Sequence, residues 1–386
     1  MVDLNYTIAA VLASYHLILT KRKRDEEEEE EEEEDFVIED SSEPFMRNTC
    51  PSDFGPPLSN IGKSAILEDI FEDSNRNYCK IFTNFYGWEF FALTEHLKPL
   101  IERRRETPWR KYREDATERN SERKKQCKYS AAERLYFALD WLANGTEFRQ
   151  EEFYYKYAKS SLHEDLPHVL KAIIDGLDDF LRWPTAQERL VLATHYEGIF
   201  KNCVGLGDIS ETLIEKSKDK TTERATFSGK AHGNSMKNFT VCDFSGRIIY
   251  CADNIQGRPN DRSSFTHLPL YMDQGLYFDD DQFVAVDGGF DGDGPLRSSF
   301  REPNTPARVA FNLAFKEVRL QIENVYGRIQ NWFGVLGNKK AKFNCNPALL
   351  SLSIQAACRL HNWMLHTRKL NYDPILNRRY LFREYY

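Results

Sequence analysis

The texture of the chain changes near residue 200, and that change limits what it can fold into. Beyond it, short apolar runs at Cys203–Gly207, Phe239–Asp243, Arg247–Ala252 and Gln282–Val286 are broken by Gly and Asp. Runs of that length bounded by turn formers predict strands, and Ser245-Gly246 between the second and third predicts a hairpin. Two long helical periodicities follow, from about Ala307 to Phe333 and from Pro347 to His366. Strands first, with helices interleaved and after, predict an α/β domain over 201–370 and a tail over 371–386.

The stretch 61–200 reads as helical. Ala131, Leu135, Ala138 and Leu142 form one stripe that stops at Asn144-Gly145. Phe148–Tyr157 and Leu166–Leu181, joined by Ala158–Ser161, suggest a helix-turn-helix and so an all-α, DNA-binding domain. His163-Glu164-Asp165 is a poor opening for a helix meant to touch DNA. Arg103–Arg105, Arg110-Lys111, Arg113 and Arg123–Lys125 make a basic connector ahead of this pair.

Residues 1–20 predict a short N-terminal helix, because Ile8–Leu19 is apolar but too short for the roughly 20 residues of a bilayer span. No membrane association is expected. Residues 21–60 are low in complexity, with the basic tetrad Lys21–Arg24 and then eleven consecutive acids, Asp25–Asp35. The formal charge of −8 comes from that run; without it 49 acids face 52 Lys and Arg. The remainder is mildly basic, which suits a phosphate-bearing partner. Eight scattered cysteines without a CxxC argue against a zinc ribbon or a disulfide scaffold and predict a reducing compartment. Cys345, Cys358, His361 and His366 lack the close Cys and His pairs of a zinc finger.

Three acids occupy telling positions. Asp208 and Asp287 each directly follow an apolar run, where open α/β sheets place ligands. Gly288-Gly289 lets something approach the backbone behind Asp287. Glu323 sits at the edge of the stripe Val318, Ile322, Val325, Ile329 and Trp332. Two strand-end Asp and one helical Glu suit a two-metal phosphodiester site, since Mg²⁺ takes hard oxygen ligands from several elements. Each acid singly has a bland alternative, as a turn former or as an i,i+4 ion pair with Arg319.

The spacing favours the chemical reading. Asp287 and Glu323 are separated by 35 residues, which resembles the D(35)E signature of DDE transposases and integrases. Ordered words point to one branch. Val204–Ser210 resembles "GAIDGT", Gly257–Arg262 "GSVHDS", Val286–Phe290 "ADSGY", Ile322–Arg328 "VENAFGR", and Leu360-His361-Asn362 the closing "LHN". Ala132–Leu135 and Trp141–Arg149 resemble "eeRL … LATGdsfR". Over about 130–366 the chain resembles the PIF/Harbinger-type DDE transposases.

That resemblance implies an RNase H-like mixed-sheet catalytic domain and DNA strand cleavage dependent on Mg²⁺ or Mn²⁺, with two ions. It assigns Asp208, Asp287 and Glu323 as catalytic and metal-holding carboxylates, and Asp261 as an accessory acid at a helix start. Lys230, Lys237, Arg319 and Arg328 are the expected DNA contacts. The partners expected are DNA, a Myb-like DNA-binding helper that the resemblance implies and, as an open option, a second copy of the chain. Lys21–Arg24 is consistent with residence in the nucleus. Ile209-Ser210-Glu211 replaces Gly-Thr-His after the first Asp, Asn260 replaces a His, and Gly288 and Phe290 replace Ser and Tyr. Acids kept among drifted neighbours leave an alternative: a domesticated transposase that binds DNA or protein with weakened catalysis.

Overall fold

The computed structural model describes residues 78–103, 129–145, 148, 159–194, 200–279, 281–290, 294–337 and 347–371. The expectations for Ile8–Leu19, Lys21–Arg24, the acid run, the basic connector beyond Arg103, Cys345 and the tail beyond Asn371 lie outside them, as does all of Phe148–Tyr157 but its first residue. The chain divides into two compact units, with breaks at Tyr136/Phe137 and His366/Thr367. Among the described residues no helix is long and apolar enough to cross a membrane.

The first unit holds α1 (Tyr78–Thr83), α2 (Gly87–Ile101), the opening of α3 (Ala131–Asn144) and the C-terminal end of the last helix. Ser130 and Glu133 start α3 with a reciprocal cap: each side chain accepts from the other's backbone N–H, at 3.2 and 2.6 Å. Glu89 is fully buried in α2 and takes two bonds from Arg368, Nε at 2.8 Å and Nη2 at 3.1 Å. It also accepts from the Tyr86 N–H at 2.9 Å, while Arg368 Nη2 donates to the Asn84 carbonyl at 2.9 Å. A bidentate pair so completely satisfied is what allows two charges to sit away from water.

The second unit begins with the rest of α3, which ends at Gly145 in a left-handed conformation (φ 64°), as Asn144-Gly145 predicts. Next comes α4 (Lys159–Gly176), a 3₁₀ turn at Asp178–Phe180 and α5 (Ala186–Thr194). The helix expected from Leu166 in fact starts at Lys159, so Lys159–Ser161 of the expected turn are helical. The reason is the buried stripe Leu162, Leu166, Val169, Leu170, Ile173, which carries the helical period back past Pro167.

The sheet comprises β1 (Cys203–Leu213), β2 (Phe227–Ser228), β3 (Gly233–Cys242), β4 (Ile248–Gln256), β5 (Phe283–Ala285) and β6 (Leu296–Arg297). Between β1 and β2 lies α6 (Lys220–Thr226); α7 (Asp261–Phe265), α8 (Pro269–Met272) and α9 (Gln274–Tyr277) lead from β4 to β5. Across the sheet the order is β4-β3-β1-β5-β6, with β2 on the first residues of β3. β1 is antiparallel to β3 and parallel to β5, and β6 is parallel to β5. This mixed sheet fits an RNase H-like domain. Two long helices, α10 (Pro306–Trp332) and α12 (Pro347–Asn371), follow, with the short α11 (Gly334–Gly337) between them.

Three strands outrun the sequence reading: β3 opens at Gly233 instead of Phe239, β4 continues to Gln256 instead of Ala252, and β1 passes Gly207. β1 does not stop at Gly207 but runs on to Leu213, because β3 pairs with it residue for residue from Leu206↔Cys242 to Leu213↔Ser235. Gly207 is there for packing, not for turning. A Cβ on it would meet the Phe239 ring at 2.9 Å and Val284 at 3.0 Å. Phe239, Val241, Val284, Val286, Phe265 and Phe290 build the core at this point.

Asn362 explains why the closing Leu-His-Asn matters to the fold. Its Oδ1 accepts the Ile248 N–H at 2.8 Å, and its Nδ2 donates to the carbonyls of Ile248 at 2.7 Å and Phe180 at 2.6 Å. It ties α12 to the first residue of β4. Asn362→Leu would strand these buried groups, each worth about 1–3 kcal/mol. A urea midpoint lowered by about 3 kcal/mol in ΔG is the expected result, and an unchanged midpoint would contradict it. Neighbouring His361 packs on Trp332, with ring centroids 5.5 Å apart.

Candidate active site

The register of the sheet brings the first two acids together. The last pairing of β1 with β5 is Leu206↔Ala285. Two residues further on each chain stand Asp208 and Asp287, with the same parity in the pleat and so on the same side. Asp208 is held in mid-strand opposite Thr240. Asp287 lies just past β5 and is exposed at the start of a 3₁₀ turn, Gly288–Phe290, with its Oδ1 accepting the Gly288 N–H at 2.7 Å. A Cβ on Gly288 would meet nothing within 4 Å, and one on Gly289 would meet only the Asp261 carboxylate, at 3.6 Å. The backbone beside Asp287 is thus open, and Asp261 is the fourth acid at this edge.

Asp261 is the first residue of α7, behind Asn260, whose Oδ1 caps the helix by accepting the Ser263 N–H at 2.7 Å. Its partner is Lys237, whose Nζ reaches Asp261 Oδ1 at 3.3 Å and the Pro259 carbonyl at 2.7 Å.

Glu323 arrives on α10, whose start is set by Thr305 as cap and Pro306 in the first turn. It is joined to Asp208 through Arg319. The guanidinium donates to Glu323 Oε1 at 2.6 Å and, on its other side, to Asp208 Oδ2 at 3.4 Å. Tyr326, one turn past Glu323, donates its hydroxyl to the Asp208 carbonyl at 2.7 Å and so fixes α10 against β1. Sequence reasoning missed Tyr326; its only signal is the i+3 spacing from Glu323.

Burial pushes the Asp208 carboxyl above the usual range, and the charges of Asp287 and Asp261 push the same way. The Ile209 N–H and Arg319 pull against them. An acid whose pKa is raised by folding is fully stabilising only below its unfolded value, and it costs stability as pH rises beyond that. Asp208→Asn should therefore raise the Tm of the metal-free protein at neutral pH, by about 2–4 °C for each kcal/mol relieved. The gain should vanish below about pH 4, where an ordinary Asp is already protonated. Equal Tm values at both pH values would refute this.

The donor set is four carboxylates without thiolate or imidazole, which suits a hard divalent cation. Their present spacing does not aim three of them at one point: among the described residues no group of three His, Cys, Asp or Glu is placed to hold a metal ion. The guanidinium of Arg319 keeps Asp208 and Glu323 apart, one on each side.

The four basic residues expected on DNA are differently placed. Lys230 is exposed on the β2–β3 turn. Lys237 is 5% exposed and spent on Pro259 and Asp261. Arg319 is committed to the acids. Arg328 lies against the β3–β4 turn, where a Cβ on Gly246 would come within 2.5 Å of its Nη2, and burial lowers its pKa. Lys237 is therefore spent inside the protein on partners brought in by the sheet. Arg328 is instead packed against the β3–β4 turn, with its Nε and Nη2 buried and without a hydrogen-bond partner among the described residues.

Residues 208–362 match the family model described as DDE superfamily endonuclease, a span that opens on Asp208 and closes on Asn362. The matched segment resembles a DDE superfamily endonuclease domain, and enzymes of that superfamily generally use divalent metals. A human protein named "Putative nuclease HARBI1" is 21% identical over 206 residues, or 53% of this chain and 59% of that protein. The chain thus spans less than two thirds of this relative. No solved structure matches.

Proposed function

We propose that the domain is a divalent-metal-dependent DNA endonuclease in which Asp208, Asp287 and Glu323 are the reactive-site carboxylates. The observation that supports this reading is the placement of Asp208 and Asp287 at one edge of the sheet, with Glu323 tied to Asp208 through Arg319. Two Mg²⁺ or Mn²⁺ ions held there would activate the attacking water and offset charge on the leaving 3′ oxygen. The chain's own part is to fix the acids: Asp208 rigidly from mid-strand, Asp287 from an open turn, Glu323 from a helix pinned by Tyr326. Asp261 keeps Lys237 neutralised beside them, an accessory role. The resemblance extends the proposal to a Myb-like helper and nuclear residence.

The wild-type full chain incubated with supercoiled plasmid should convert it to nicked circles in Mg²⁺ or Mn²⁺ and leave it intact in EDTA. Nicking that persists in chelator would sink the proposal.

The pairing of Arg319 with both Asp208 and Glu323 favours a second reading, a DNA- or protein-binding factor that keeps the fold without cleavage. In that case millimolar Mg²⁺ or Mn²⁺ would leave Tm unchanged, whereas an ion-binding site raises it by mass action.

A further inference from the structure

One aromatic side chain, clasped by the helix that carries Glu323, is held fixed while remaining exposed. Phe300 lies in the segment between β6 and α10 and is 41% exposed. Its backbone is clasped at both polar groups by Asn312 on α10, which accepts its N–H at 2.9 Å and donates to its carbonyl at 2.8 Å. The Arg308 guanidinium stacks over the ring, 4.9 Å from its centroid, and is itself steadied by Asn304 at 3.1 Å. Phe311 meets the ring edge-on at 5.1 Å. An exposed ring is ordinarily left to move; this one is fastened by three residues, Asn312, Arg308 and Phe311.

Its position along α10 supplies the second half of the argument. At 3.6 residues per turn, Arg308, Asn312, Lys316, Arg319 and Glu323 fall within roughly 80° of one another on the helix. They flank the buried stripe Phe315, Ile322, Val325, Ile329. Arg308 and Lys316 are exposed. One face of α10 therefore carries, in order, an aromatic–guanidinium platform, an exposed lysine and the Arg319–Glu323 end of the candidate active site. The span from Asn312 to Glu323 is about 16 Å of helix, the length of a few nucleotides.

We propose that Phe300 and Arg308 form a stacking platform for an unpaired DNA base flanking the scissile phosphate, with Lys316 on the intervening backbone. This rests on the endonuclease reading for its substrate class and adds the recognition of a strand with at least one base out of the duplex. Aromatic rings stack bases of any sequence, and guanidinium groups add cation–π attraction, so the site favours single-stranded character over sequence.

The test is binding in EDTA, where cleavage does not enter. Anisotropy of a labelled 15-nucleotide dT strand and of a duplex of equal length would be compared for the full-length wild type, Phe300→Ala and Phe300→Trp. Phe300→Ala should weaken single-strand binding about tenfold and duplex binding less than twofold. Phe300→Trp should restore it, and its added indole emission should be quenched as strand is titrated in. Wild-type strength in Phe300→Ala on the single strand, equal loss on both DNAs, or an unquenched indole at saturation would each overturn the platform. A protein that stacks DNA on Phe300 yet never nicks it would overturn the endonuclease reading and leave this one standing.

Discussion

Asp287→Asn and Glu323→Gln, each made in the full chain, should lower Mg²⁺-dependent nicking at least about a hundredfold. Substitutions merely outside a metal's ligand shell already cost about 10–100-fold, and these two would remove a negative oxygen from the shell itself. Both side chains are well exposed, Glu323 at 48%, and both changes keep size and shape, so the fold should be untouched. The check is nicking rate beside Tm: rates equal to wild type would remove these residues from the site, and a collapsed Tm would show a structural role instead. Glu323→Gln also keeps a hydrogen bond to Arg319, so loss of nicking in that variant cannot be traced to a loosened helix.

Glu89→Ala should be the most destabilising single change in the first unit, by about 3–5 kcal/mol. That is the usual cost of leaving one partner of a buried ion pair alone. Arg368 would lose both of its bonds to the Glu89 carboxylate, and the Tyr86 N–H at the start of α2 would lose that acceptor. Replacing both residues together, Glu89→Leu with Arg368→Met, should cost much less, because no charge is then stranded. Chemical denaturation of the three proteins decides it; a double variant as unstable as the single would mean that packing, not charge, is what the pair supplies.

Much of this was legible in one dimension, for identifiable reasons. The bounds of α10 followed from a long apolar period, and the hairpin at Ser245-Gly246 from a residue pair that tolerates φ of 82° at the glycine. Asp287 and Glu323 stand where their local sequence puts them, just past a strand and on a long helix, whereas Asp208 lies in mid-strand and not at the strand end that its sequence suggests. What was not legible depends on partners distant in sequence. β1 outlasts Gly207 only because β3 is there to pair with it. Arg319 reads as an i+4 mate of Glu323, but its second carboxylate, Asp208, is 111 residues away. Lys237 reads as a surface cation until Pro259 and Asp261 close over it. The turn at Ala158–Ser161 failed because polar residues were weighed above the stripe that continues beneath them.

The placement of Phe300's clasp, Arg319 and Glu323 on one continuous helix makes α10 a ruler with a fixed angular scale. Inserting a single residue between Asn312 and Arg319 would rotate the platform by about 100° relative to the acids, enough to turn it out of line with any strand lying across both. Adding seven residues would nearly restore the direction while lengthening the interval by about 10 Å. The helix would thus tolerate sequence change far more readily than change of length, and related chains that keep the site should differ in this interval by whole heptads or not at all.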